Sequence, residues 1–113
     1  DGAQTRTFVY VEDAVDAVLK VAFSKKAEGQ AFNIGSDREI SMLELAKIMK
    51  KVGEFKSEFE FISHKKVFGA KYEDIPRRVP NVSKIKEIVD WQATTSLEDG
   101  LKKTIIYYRK KIL

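Results

Sequence analysis

The spacing of apolar residues changes period several times along the chain, and that alternation restricts the fold more than any other feature. Val15, Val18, Leu19 and Ala22 stand three and four apart, the spacing of one face of a helix. Leu45, Ile48, Met49 and Val52 repeat that rhythm, as do Leu97, Leu101, Ile105, Tyr108 and Ile112. Between them the period falls to two. Phe55, Ser57, Phe59 and Phe61 alternate with Glu54, Lys56, Glu58 and Glu60, which predicts a half-buried strand with one aromatic face. Thr7 to Val11 is β-branched or aromatic and predicts a short strand, and Ala31-Phe32-Asn33-Ile34 predicts another, closed by Gly35. Helix and strand alternate in the first half, which suits part of an α/β layer, while the second half is more helical.

The boundaries carry their own signals. Glu12, Asp13 and Asp16 open the first helix and Lys20, Lys25 and Lys26 close it, both in the sense that complements the helix dipole. Val11, Ala14, Val21 and Phe23 widen its stripe, so more than one side is expected to be covered. Ser41-Met42-Leu43-Glu44 has the form of a capping box, and Gly53 is placed to stop the helix it opens. Asn81 can cap a short helix with Val82, Ile85 and Val89 inward. Trp91 follows as a core plug, and Ser96-Leu97-Glu98-Asp99 opens a last helix. Residues 63–74 lack periodicity and read as a loop. No repeat or low-complexity segment interrupts the order.

At 113 residues the chain is one domain or part of one, able to bury roughly two-thirds of its unfolded surface. With no cysteine, disulfides, thiolate metal sites and cysteine nucleophiles are excluded. No apolar run approaches the roughly 20 residues of a membrane span. The polar start, Asp1-Gly2-Ala3-Gln4-Thr5-Arg6, does not have the form of a signal peptide, so a cytoplasmic location is expected, and a first residue other than Met suggests that Asp1 is not the natural start. The net charge of +4 invites a nucleic-acid reading. Yet Lys20, Lys25, Lys26, Lys50, Lys51, Arg109, Lys110 and Lys111 all fall near helix C-termini, where the dipole explains them. No RNA-recognition signature or zinc-finger ligand set appears, and no nucleic-acid partner is expected.

Few residues offer chemistry. Arg77 and Arg78 sit between Pro76 and Pro80, so the segment is stiff and extended, its side chains alternate, and only one arginine can face a given site. A guanidinium held on such a backbone suits a phosphate or carboxylate; a surface salt bridge to Glu73 or Asp74 accounts for it as well. Arg6 is a polar residue at a strand edge. Tyr72 can stack on a planar ligand or pack on a neighbouring loop. His64, the single histidine, has no partner placed by sequence, and no His, Asp and Glu cluster has metal-ligand spacing. Tyr107 and Lys111 have Tyr-x-x-x-Lys spacing but fall in the last turns, with Tyr108 the better inward residue. Glycines at 2, 29, 35, 53, 69 and 100 are too dispersed for a phosphate-binding turn. On residues alone there is no catalytic, cofactor-binding or metal site.

Taken in order, the segments resemble the C-terminal part of the extended short-chain dehydrogenase/reductase family that acts on nucleotide sugars, the NAD-dependent epimerase/dehydratases. Residues 1–15 resemble its G-x-Q-x-R-x-F-x-Y-V-x-D-x-V pattern, and Phe32-Asn33-Ile34-Gly35 its F-N-I-G strand. Glu39-Ile40-Ser41 with Glu44-Leu45-Ala46 is similar to E-I-S…E-L-A. Tyr72-Glu73-Asp74-Ile75-Pro76-Arg77-Arg78-Val79-Pro80 with Ser83-Lys84 resembles Y-x-D-x-x-R-R-x-P-D-x-S-K. Trp91 and the segment Ser96 to Ile105 resemble its closing helix. The match covers nearly the whole chain, and the Tyr-Glu-Asp…Arg-Arg version leans toward 4-epimerases and decarboxylases of nucleotide-linked uronic acids, isomerase or lyase chemistry.

The resemblance implies a mixed α/β fold: helices with a few short strands, one substrate-binding portion over residues 1–113 of a Rossmann-type enzyme, without the cofactor half. That other half would bind NAD and supply the catalytic Tyr-x-x-x-Lys. It implies a nucleotide sugar, UDP-linked, as ligand, and the missing Rossmann half as partner. Arg6 matches the family's first phosphate-binding arginine, Arg78 a second near sugar and diphosphate, Tyr72 a residue beside the nucleotide, and Gln4 a further contact. Asn81 stands where the family has Asp, Asp90 where a Gly often precedes the Trp, and Ala93 where a Pro often follows it. The chain is expected to bind no NAD and turn over no substrate alone, and to form oligomers through surface the missing half would cover. The alternative is a non-catalytic protein-interaction module, with a basic nucleic-acid binder the less favoured reading.

Overall fold

The computed structural model describes residues 2–69 and 73–112. Its elements run β1 (Thr5–Thr7), α1 (Val11–Ala22), a 3-10 turn (Lys25–Ala27), β2 (Glu39–Ser41), α2 (Met42–Gly53), α3 (His64–Phe68), β3 (Arg77–Arg78), α4 (Ser83–Val89) and α5 (Leu97–Ile112). The fold is mixed α/β, as expected. The three strands form one sheet in the order β2-β1-β3, with β1 antiparallel to β2 and parallel to β3. No described helix is long and apolar enough to cross a membrane.

The core lies beneath α1 and α4. Ala17 and Ile85 are fully buried and Trp91 is 3% exposed, with Val21, Phe32, Ile34 and Val89 packed around them. Ala17 lacks bulk beyond Cβ, so α4 approaches α1 closely and Ile85 fills the gap; burying such a side chain is worth about 1.5–3 kcal/mol. Trp91 plugs this core as the sequence suggests. Asp13 ties α1 to the segment before α5: its carboxylate accepts from the amides of Thr94 (3.1 Å) and Thr95 (2.8 Å) and from both hydroxyls. Burial opposes the charge of Asp13, but those donors outweigh it and hold the carboxyl below its ordinary range.

Helix α2 starts on the expected capping box: Ser41 Oγ accepts from the Glu44 amide (3.2 Å) while the Glu44 carboxylate accepts from the Ser41 amide (3.0 Å). It ends at Gly53, with Glu54 in the left-handed region at φ 53°. A Cβ at Gly53 would meet the Phe55 ring. Helix α5 is capped by Ser96, whose Oγ accepts from the Asp99 amide (3.1 Å). It packs along α2, tied to that helix by Arg109, which donates to the Gly53 carbonyl, and to the residue before β2 by the Arg38 fork onto Glu98 at 2.7 and 2.9 Å.

Several expectations change. The first strand is Thr5–Thr7; Tyr10 is extended, and Val11 already begins α1. Glu39–Ser41 is a strand although three residues are too few to show a period. Ala31 to Ile34 and the alternating Phe55–Phe61 stretch pair with no strand among the described residues. Phe55, Phe59 and Phe61 are 39%, 41% and 62% exposed rather than buried on one face. The 63–74 stretch contains α3, in which the His64 and Phe68 rings approach to 6.2 Å. Asn81 accepts from the Ser83 amide (3.0 Å), while Val82 is the N-cap of α4. Tyr108 is exposed rather than inward. The α1 stripe (Val11, Val15, Val18, Leu19) is exposed as well, the buried side being that of Ala17 and Val21.

Candidate functional site

Sheet register decides which arginines stand together. In the parallel pair β1–β3, Thr5 lies beside Arg77 and Arg6 beside Arg78. Paired residues project to the same face, and successive residues to opposite faces. Arg6 and Arg78 therefore share one face, and Arg77 belongs to the other.

The two faces differ in chemistry. On the Arg77 side, Arg77 forks onto Glu39, with Nε donating to Oε1 and Nη2 to Oε2, both at 2.9 Å. The Thr5 hydroxyl donates to the same Oε1 at 2.5 Å. Donation by Arg77 first, then by Thr5, holds the Glu39 carboxyl below its ordinary range. The salt-bridge partner of Arg77 is thus Glu39, not the neighbouring Glu73 or Asp74. On the other side, Arg6 Nη2 donates to Asp74 Oδ1 at 2.9 Å and Nη1 to the Thr5 carbonyl at 2.7 Å. This pair is about one-fifth exposed on both sides. Arg78 makes no ion pair among the described residues and is exposed. Two guanidiniums side by side repel. Asp74 balances one of them, and a net positive charge remains at Arg78.

The main-chain carbonyl of Gln4 accepts from the Met42 amide (3.0 Å), and Gln4 lines a cavity of about 190 Å³ with Leu43, Phe59 and Phe61. Tyr72 lies outside the described residues. Two grooves, of about 440 and 340 Å³, are both lined by Trp91, Gln92 and Lys86, and neither is lined by Arg6 or Arg78. On the arginine face Arg78 is exposed, while Arg6 is about one-fifth exposed. Lys111 Nζ sits over the Tyr107 ring at 4.9 Å, a face-on contact rather than one aimed at the hydroxyl. Among the described residues, no group of His, Asp and Glu is placed to hold a metal. The described helices do not start on a glycine-rich turn, so these residues do not fit NAD. Glu39 and Asp74 enter the site only through the sheet, across 38 and 68 residues. No local sequence signal links either one to its arginine.

Residues 1–104 match the family described as GDP-mannose 4,6 dehydratase. The UDP-N-acetyl-alpha-D-glucosaminuronate decarboxylase of Bacillus cytotoxicus is 39% identical over 110 residues, 97% of this chain and 34% of that protein. UDP-glucuronic acid decarboxylase 1 of Arabidopsis thaliana is 35% identical over 113 residues, 100% of this chain and 24% of its own length. Among solved structures, the UDP-glucose 4-epimerase of Thermotoga maritima with UDP-glucose superposes with a TM-score of 0.86 at 32% identity, covering 100% of this chain and 34% of that one. The UDP-glucuronic acid 4-epimerase of Bacillus cereus, in complex with UDP-glucuronic acid and NAD, shares the fold at a TM-score of 0.83 and 24% identity, covering 98% of this chain and 34% of that one. The chain thus spans a quarter to a third of the length of these relatives. The family match, the similarity to the decarboxylases and the shared fold agree: this chain belongs to the GDP-mannose 4,6 dehydratase family of nucleotide-sugar epimerases, decarboxylases and dehydratases.

Proposed function

We propose that this region grips the diphosphate of a UDP-linked sugar, a uronate by its similarity to the decarboxylases, within a larger NAD-dependent epimerase or decarboxylase. The observation that carries the reading is the register that sets Arg6 beside Arg78 on one face of the sheet. Planar forks neutralise a diphosphate well, and this face holds an arginine without an ion pair among the described residues. Tyr72, two positions before Asp74, is assigned to the nucleotide side by its sequence match, and Gln4 is a lesser contact.

The rest of the enzyme would supply NAD and the proton-transfer couple, so the region by itself holds ligand without converting it. Surface area supports a missing partner half. The chain exposes 8794 Å², about 2,500 Å² more than the roughly 6,300 Å² expected of a compact monomer of this mass. Much of the α1 stripe contributes, with Phe23 86% exposed. The cofactor half of the same polypeptide is the cover proposed for it. A non-catalytic interaction module would use this surface too, but a family match over residues 1–104 favours the enzyme.

In the complete enzyme, Arg78→Ala is expected to lower kcat/KM for the UDP-sugar by about 30-fold or more, corresponding to a lost charged hydrogen bond of ~2 kcal/mol. Melting temperature should be nearly unchanged, since Arg78 is exposed. Wild-type kinetics would remove Arg78 from the site.

A further inference from the structure

Strand β3 is only two residues long and lies between two prolines, which offer the ladder no amide. Beyond its two ladder pairs with β1, Thr5–Arg77 and Arg6–Arg78, the Thr5 amide donates to the Pro76 carbonyl (2.8 Å) at its entry. A strand this short specifies its own register weakly, yet a slip of one residue would exchange the faces of Arg77 and Arg78. Sequence does not separate the two, because adjacent arginines offer equal charge and reach. A side-chain tie on one face would hold the pairing that the ladder makes, Arg77 with Thr5 and Arg78 with Arg6.

Glu39 makes that tie. It stands on β2, on the far side of β1 from β3, and reaches across the middle strand. Its carboxylate takes the Arg77 fork at two points, both 2.9 Å, together with the Thr5 hydroxyl. One carboxylate thus joins all three strands on the face away from Arg6. Two parallel hydrogen bonds to a planar guanidinium fix orientation as well as distance. The Arg6–Asp74 pair closes the opposite face at 2.9 Å, but it holds the chain before β3 and does not choose between the arginines.

We propose that Glu39 is a positioning residue: by clasping Arg77 it holds β3 against β1 in the observed register and thereby keeps Arg78 beside Arg6. The inference rests on the reading that the Arg6–Arg78 face meets the diphosphate. Glu39 itself touches no ligand in this account. It acts through Arg78, so its effect on binding must vanish when Arg78 is absent, whereas a general loss of stability would persist.

The test is a double-mutant cycle in the complete enzyme, with uridine diphosphate as the probe and the dissociation constant measured by calorimetry. Glu39→Ala is expected to weaken binding about tenfold, the scale of coupling between interacting residues. In the Arg78→Ala background the same change should weaken it less than twofold. The charge-swapped pair, Glu39→Arg with Arg77→Glu, should restore most of the affinity, which guards against a variant that merely folds poorly. A Glu39→Ala loss that is equally large without Arg78, or an unrescued swap, would overturn the proposal. So would wild-type affinity in Glu39→Ala while Arg78→Ala still weakens binding, and in that case the diphosphate reading stands. Unchanged binding in Arg78→Ala would overturn both.

Discussion

Asp90 shows a single residue held against its own steric preference. The structure places it in the left-handed region, at φ 52° and ψ 50°, as the C-cap of α4. Its amide still closes the helix on the Lys86 carbonyl at 3.0 Å. An L-residue pays a steric penalty there that glycine avoids. Asp90→Gly is expected to stabilise the protein by up to about 1 kcal/mol, read as a higher denaturant midpoint at unchanged slope; a lower midpoint would contradict it. The arginines teach a different lesson. Alternation along a stiff Pro-x-x-x-Pro segment was enough to put Arg77 and Arg78 on opposite faces, though not to say which one faces the site. The partners were not legible, because Glu39 and Asp74 meet Arg77 and Arg6 only when strands distant in sequence are laid side by side.

At the scale of elements, α1, α2, α4 and α5 announced themselves, whereas α3 and the strands did not. The Ser41 and Ser96 caps act within three residues of themselves, so local chemistry sufficed to find α2 and α5. The strands are two or three residues long, shorter than any period can register. The alternating phenylalanines of 55–61 carried a strand signal that no described neighbour completes. The ties between elements carry a common pH signature. Asp13, Glu39, Glu44 and Glu98 all have carboxyls held below their ordinary values of 3.8 and 4.5. For Glu98 the Arg38 fork is the main cause, and for Glu44 the Ser41 amide. A depressed folded value means that the stabilisation is present above the unfolded value and lost as pH falls through the folded one. Urea midpoints are therefore expected to hold level from pH 7 to about 5 and to fall progressively below about 4. A midpoint that rises on acidification would contradict these assignments.

The molecule as a whole is a slab of 49 × 38 × 21 Å with a radius of gyration of 17.0 Å, against about 13 Å for a compact domain of roughly this length. Only Ala17, Ala27, Ile40, Leu45, Ile85 and Trp91 are buried apolar residues among those described. The apolar stripe of α1, which the sequence marks as a buried face, instead looks outward. The sequence reports where a side chain is at home, and the rest of the polypeptide is proposed to provide that home. Shape, exposed stripe and exposed Arg78 thus fit one account, in which this region is the ligand-gripping part of a larger nucleotide-sugar enzyme. The most direct measurement is a crystal structure of the complete enzyme with uridine diphosphate bound. The account predicts diphosphate oxygens within about 3 Å of the guanidiniums of both Arg6 and Arg78, with Arg77 still on Glu39; a diphosphate bound away from that face would contradict it.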